Sequence, residues 1–117
     1  MTETELQTRN ADDEIVWRAL SAPSRRRILD RLRERPHTTG ELCEGFEFTR
    51  FAVMKHLKVL EAASLIAVER RGRERYNHLN PTPIQQIYRR WIRPFEALPA
   101  DRLLKIKRLA EAREETS

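Results

Sequence analysis

Thr49-Arg50-Phe51-Ala52-Val53-Met54-Lys55-His56-Leu57-Lys58-Val59-Leu60 is the stretch on which the reading of this chain turns. At about 100° per residue, Val53, Leu57 and Leu60 fall on one side of a helix, spaced for a core. Phe51, Met54, Lys55 and Lys58 gather on the other side, with Arg50 at its edge. Thr49 is suited to cap this helix, because its hydroxyl can accept from a free amide of the first turn. The exposed face therefore begins at the helix end and carries cations and large side chains. That is the size and charge of an element that enters a nucleic-acid groove.

The residues on either side agree with that reading. Thr38-Thr39-Gly40-Glu41 is a capping-box pattern, in which Thr38 and Glu41 satisfy each other's backbone donors. Leu42 and Phe46 supply the apolar face of the short helix that follows, and Gly45 is expected to end it in a left-handed conformation. A short helix, a turn and a longer two-faced helix make a helix-turn-helix. After Ala63 the period becomes alternating, with Ile66 and Val68, then Arg70-Arg71-Gly72-Arg73, then Tyr76 and Leu79. This predicts a two-stranded hairpin turning near Gly72. Arg70, Arg71, Arg73 and Arg75 crowd its tip beside Glu69 and Glu74, well placed to reach phosphates or a narrow minor groove.

With these elements in order the chain resembles the ArsR/SmtB winged-helix repressors. The matching residues are Trp17-Arg18-Ala19-Leu20-Ser21-Ala22-Pro23-Ser24-Arg25-Arg26-Arg27-Ile28-Leu29, then Glu41-Leu42-Cys43, Ala52-Val53, His56-Leu57-Lys58-Val59-Leu60, Gly72-Arg73 and Tyr76. The resemblance covers roughly residues 12 to 95. It implies a homodimeric DNA-binding repressor whose operator affinity responds to a signal. The chain departs from the metal-sensing members of that family. Their helix before the recognition helix often carries Cys-x-Cys, whereas Cys43 is followed by Glu44 and Gly45, and one thiolate cannot build a soft-metal site. A second family site uses Asp and His on the helix after the hairpin, and Ile84 to Glu96 contains neither. No metal and no cofactor are expected. Ala22 stands where many members have an Asp cap before proline, which weakens that helix start.

Composition bounds the alternatives. A chain of 117 residues suits one domain, with a core too small to be generous unless association buries more. No run approaches the ~18 apolar residues that span a bilayer, and the acidic start lacks the features of a secretion signal, so no membrane partner and a cytoplasmic location are expected. The single cysteine fits a reducing compartment. Charge is unevenly spread: residues 1–14 hold five acids against Arg9, a net of −4, and the remainder, 22 basic against 13 acidic residues, stands at +9. Such a body attracts polyanions in a salt-dependent way. Enzyme chemistry finds no foothold, since there is no phosphate-cradling glycine loop, no paired carboxylate in an apolar setting and no Ser/His/Asp group with a glycine elbow.

Along the rest of the chain, residues 1–11 read as a mobile acidic leader. Ile15, Val16, Ala19 and Leu20 form the apolar side of a first helix with Trp17 at its margin. Pro23 opens a second helix, with Ile28, Leu29 and Leu32 facing inward, which ends before Pro36. Beyond the hairpin Ile84, Ile87, Tyr88, Trp91, Ile92 and Phe95 form a wide apolar stripe that Pro94 should end or kink. Residues 101–114 form a further charged amphipathic helix. The stripe is more apolar surface than a peripheral helix of so small a domain can hide, so it is assigned, with Ile15 and Trp17, to a two-fold contact with a second copy.

The expected fold is thus mainly α with a small β-hairpin, a winged helix-turn-helix that dimerises, over residues 12–98, followed by a charged helix over 99–117. Thr49, Arg50, Phe51, Met54, Lys55, His56, Lys58, Arg71 and Arg73 are the candidate DNA contacts. Some assignments stay open. Phe51 and Met54 either pack beneath the turn or meet a thymine methyl; His56 either packs or donates to phosphate. His37 and His78 read as ordinary surface or strand residues, and Cys43 as a core thiol or a redox switch. Two rival functions remain beside DNA-binding repression by a homodimer on duplex DNA: a winged-helix protein-interaction module, and a ligand- or redox-responsive sensor of the same fold, whose effector is unknown.

Overall fold

In the computed structural model, which describes residues 2–116, the chain divides into two compact units, Met1–Gln86 and Ile87–Ser117. The first holds α1 (Glu3–Leu20), α2 (Pro23–Glu34), β1 (His37–Thr38), α3 (Thr39–Gly45), α4 (Arg50–Ala62), β2 (Ile66–Arg71), β3 (Glu74–Leu79) and most of α5 (Thr82–Ile87).

The leader expected over residues 1–11 is instead helical from Glu3, with Met1 outside the described residues. The reason is a second capping box: the Glu5 amide donates to Thr2 Oγ1 and the Thr2 amide to Glu5 Oε2, each at 3.2 Å. Glu3 and Glu5 also face the positive end of the helix dipole. The buried side of α1 is narrower than the sequence suggests, since only Val16 and Ala19 are buried while Ile15 is 46% exposed.

At the α1–α2 junction, Ala22 offers no side-chain cap, and the first turn of α2 works backwards to finish α1. Arg25 Nε donates to the Ala19 carbonyl at 2.7 Å, Arg25 Nη2 to Arg18 at 3.0 Å, and Arg26 Nη1 to Leu20 at 2.6 Å. Cations here add to the closure of the helix end, where the Arg18 carbonyl also accepts from the Ser21 amide at 3.3 Å and the Ser21 hydroxyl at 2.7 Å. Ile28, Leu29 and Leu32 then face a core shared with Leu42, Val53, Leu57, Leu60, Leu65 and Ile66.

The Thr38–Glu41 box forms as expected, with bonds of 3.1 and 3.2 Å. Gly45 does not take a left-handed conformation; it is the last helical residue of α3, and Phe46 leaves it in extended backbone. Its missing side chain serves packing, because the guanidinium of Arg31 lies 2.5 Å from where a Cβ would stand. The α3–α4 turn is held by stacked Phe46 and Phe48, ring centroids 5.3 Å apart, with Arg27 over both rings at 5.1 and 5.2 Å.

Helix α4 closes with a left-handed residue that is not glycine. Ser64 has φ 58°, its amide bonds to Glu61 and that of Leu65 to Leu60, both at 2.9 Å, while Asn80 Nδ2 holds the Ser64 carbonyl at 2.8 Å. This is a Schellman closure, with Leu65 and Leu60 buried as its apolar pair. The hairpin turns at Gly72-Arg73, and the positive φ of Gly72 (61°) at the first turn position is the geometry that matches strand twist. The sheet has three strands rather than two, in the order β1-β3-β2, all antiparallel. Strand β1 consists of His37 and Thr38 paired with Asn77 and Tyr76. His37 is buried, and Asn77 Nδ2 donates to the His37 carbonyl and to Thr39 Oγ1 at 3.2 Å each, so the wing is pinned to the start of α3.

In the second unit a π turn (Tyr88–Ile92) precedes α6 (Arg93–Glu96), and α7 runs Asp101–Thr116. Pro94 does not end the helix at its own position: it sits in the first turn of α6, which runs on to Glu96. The wider π turn before it, in which the Arg93 amide reaches the Tyr88 carbonyl, removes the clash a proline would impose on a regular helix. Tyr88 Oη donates to the Glu96 carboxylate at 2.8 and 3.0 Å, and this bond holds the phenol above its ordinary pKa. Trp91, Ile92, Phe95, Leu103, Leu104, Ile106 and Leu109 are all exposed. Ile87 is the exception, only 2% exposed, and so is corrected from interface to interior: a side chain already dry has no area left to give a partner.

Candidate nucleic-acid interface

Thr49 starts α4 by accepting from the Ala52 amide at 3.1 Å, which fixes the direction in which the next residues leave the turn. Val53, Leu57 and Leu60 are fully buried, and that burial forces the opposite side of the helix outward. Phe51 is 76% exposed and so does not pack beneath the turn; Met54 is half-buried, and Arg50, Lys55 and Lys58 are exposed. Lys55 Nζ stands 5.8 Å from the centre of the Phe51 ring, so the apolar plane and the charge are presented together. An open concavity of about 550 Å³ runs along this face between Phe51, Met54, Lys55 and Lys58 on α4 and Arg75 on the wing. A second, of about 260 Å³, lies where Arg50 and Met54 meet Arg73 and the start of α3. The two adjoin at Met54 and Arg75, so helix start, wing and α3 border one trough, lined mainly by cations with Glu61 and Glu74 among them.

The hairpin arginines divide by side. The register places Glu69 opposite Tyr76 and Arg71 opposite Glu74, so these four share one face of the ribbon with His78, while Arg70, Arg75 and Asn77 share the other. Arg71 is paired with Glu69 and lies over the Tyr76 ring at 4.5 Å. The hydrogen bond from Arg71 pulls the Glu69 carboxyl below its ordinary pKa, against a smaller effect of burial, with His78 Nε2 at 2.9 Å adding to the pull. The same pairing raises the Arg71 pKa, and Glu74, accepting from Tyr76 Oη at 3.0 Å, raises that of the phenol. Arg75 turns back to α4, its Nη2 2.8 Å from Glu61. Of the four arginines expected at the tip, two are therefore engaged, and Arg73 lies exposed in the turn itself.

His56 does not join the exposed face. It is half-buried, edge-on to the Phe48 ring with centroids 6.0 Å apart, and its Nδ1 lies 3.5 Å from Arg25 Nη1. Burial lowers its pKa, with Arg25 and then Lys55 acting in the same direction. Sequence reasoning missed Arg25, Arg27, Phe48 and Asn77, which hold the reading elements without touching the trough. Their partners lie across junctions, up to 40 residues away for Asn77 and His37, where no local pattern reports them. Cys43 is half-buried and unbridged. Among the described residues, no group of three or more His, Cys, Asp or Glu side chains is placed to hold a metal ion.

Comparison with known proteins agrees with this geometry. Residues 20–69 match the family described as a helix-turn-helix domain. The transcriptional repressor SdpR of Bacillus subtilis (strain 168) is 37% identical over 70 residues, which span 60% of this chain and 78% of SdpR. The HTH-type transcriptional regulator YuzN of the same organism is 36% identical over 90 residues, 71% of this chain and 98% of YuzN. Among solved structures, the crystal structure of an ArsR family transcriptional regulator superposes with a TM-score of 0.67 and 28% identity, over 73% of this chain and 92% of that one. The chain belongs to the ArsR family. It is a winged helix-turn-helix, DNA-binding transcriptional regulator. In this ArsR-family regulator α3 and α4 are the helix-turn-helix and β2–β3 the wing. No helix among the described residues is long and apolar enough to cross a membrane.

Proposed function

We propose that the chain is a homodimeric repressor that reads an imperfect inverted repeat in duplex DNA, acting in the cytoplasm and without enzymatic activity. The observation that carries this reading is the two-faced α4, whose buried Val53, Leu57 and Leu60 leave Phe51 and Lys55 standing outward together. Arg50, Phe51, Met54 and Lys55 enter the major groove, Phe51 against a thymine methyl and Lys55 toward a guanine edge; Lys58 approaches the backbone, and Arg73 the flanking phosphates. Arg71 joins them once released from Glu69. Thr49 serves as the cap that orients this set.

A second copy supplies the other half-site, on the order of 34 Å away for one helical turn. Ile15, Trp17 and Ile84 in the first unit, and Tyr88, Trp91 and Phe95 in the second, are exposed apolar side chains that the partner subunit covers. The reading is tested by mobility-shift titration on a duplex selected from a random pool. Lys55→Ala should weaken the selected site about tenfold or more, with little change on random duplex, because a base contact contributes roughly 1–3 kcal/mol of discrimination. Arg73→Ala should weaken both and reduce the salt slope by about one. Equal losses on both duplexes for both variants would remove the assignment.

A further inference from the structure

We propose that Arg25 is a positioning residue for operator binding: its one guanidinium joins the end of α1 to His56 of the reading helix α4, so the pose of α4 follows that of α1. The proposal rests on the DNA-reading assignment of α4 above and goes beyond it by naming what sets the angle of that helix.

Three nitrogens of this side chain are committed in three directions. Nε donates to the Ala19 carbonyl at 2.7 Å and Nη2 to the Arg18 carbonyl at 3.0 Å, while Nη1 faces His56 Nδ1 at 3.5 Å. The contacts to Ala19 and His56 are partly buried, so water competes less for them than for the exposed bond to Arg18. A guanidinium carries donors only, in a rigid planar fork. A hydrogen bond across this contact requires His56 to present the Nδ1 lone pair, in a neutral ring with its proton on Nε2. The charged groups that act on His56 are Arg25 from α2 and Lys55 from its own helix, while the α3–α4 turn offers it only the Phe48 ring. His56 lies one residue beyond Lys55 and two beyond Met54, so displacing it displaces the trough. At its other end the fork grips the last turn of α1, the helix that also carries exposed Ile15 and Trp17. A shift of α1, whether by a partner subunit or by a bound effector, is handed to α4 through rigid donors. No change in the groove-facing side chains is needed.

Arg25→Lys keeps the charge but replaces the fork with a point donor that cannot hold three acceptors. In the full-length protein it should lower affinity for the selected duplex about tenfold while leaving random-duplex affinity within twofold of wild type, since Arg25 lies off the trough. His56→Ala should give a comparable loss, the double variant little more than either alone, and His56→Gln, which restores a neutral acceptor, should recover most of it. Nitrogen NMR of the His56 ring supplies a readout independent of DNA. The wild type should show the Nε2–H tautomer, and Arg25→Gln should lose that preference and move the ring's titration midpoint upward. Unchanged tautomer and midpoint in Arg25→Gln, additive losses in the double variant, or equal losses on both duplexes would overturn the proposal. If the wild type selects no duplex at all, the DNA reading fails by itself, and the ring spectrum still decides whether the joint exists. Should Arg25→Lys fail to fold, the contrast between His56→Gln and His56→Ala carries the same test.

Discussion

Glu69 decides how much of the wing's positive charge is available to DNA. It accepts from Arg71, is reached by His78, and sits across the ladder from Tyr76, whose ring lies under the same guanidinium. Pairs this exposed contribute little to folding, so the consequence belongs to binding. Glu69→Gln should leave the unfolding temperature unchanged, free Arg71, and raise affinity for random duplex a few-fold with a steeper salt slope. The sign with pH is the same. The carboxyl is held below its ordinary range, so the pairing is complete above that range and is lost as pH falls through the lowered value. Acid therefore releases Arg71 as the amide does. A Glu69→Gln protein whose salt slope matches wild type would show that Arg71 stays clear of phosphate. The local features of this site were legible in sequence: a two-faced α4, its Thr49 cap and a glycine-turned basic ribbon are all encoded within a few residues. The pairing of the arginines was not, because Arg75 finds Glu61 fourteen positions earlier and Arg25 finds His56 thirty-one later.

Elements begin and end here by capping more than by propensity, and that explains which boundaries could be read beforehand. The Thr38–Glu41 box and the Gly72 turn carry their own signatures. The Thr2–Glu5 box carries one too, obscured by an acidic stretch that composition alone assigns to a leader. Ser64 had no signature, since a left-handed serine is held by a bond from Asn80 sixteen residues on. Its conformation is one that a side chain disfavours by about 1–2 kcal/mol. Ser64→Gly should therefore raise stability by roughly 0.5–1 kcal/mol, the remainder being spent on the freer unfolded chain. Thr49→Ala should act in the opposite direction by about 1 kcal/mol, and it should also weaken selected-duplex binding because the start of α4 frays. Chemical denaturation with an unchanged slope checks both. A destabilised Ser64→Gly would mean that the serine hydroxyl, rather than the backbone turn, closes α4.

For the whole molecule the apolar surface poses a larger question than the charge. In the second unit Tyr88, Trp91, Ile92, Phe95, Leu98, Leu103, Leu104, Ile106 and Leu109 are all between 39% and 71% exposed. A 31-residue unit with so little interior lies below the size at which a chain usually holds itself together. Exposed apolar patches of this extent mark surfaces that another molecule covers. A second copy is the reading that also gives two α4 helices for two half-sites. Its consequence is a stability that depends on concentration, because association contributes to folding by mass action. The unfolding midpoint should climb when protein is raised from about 1 to 100 μM, and Trp91→Glu with Phe95→Glu should abolish that climb and sediment as a monomer. The monomer keeps α4 and the wing, so its affinity for random duplex should change little. On the selected repeat it should fall by two orders of magnitude or more, since the second half-site is no longer held at high effective concentration. A double variant that sediments as a dimer, or a monomer that binds the repeat as tightly as wild type, would place the subunit contact elsewhere or make the repeat irrelevant to recognition.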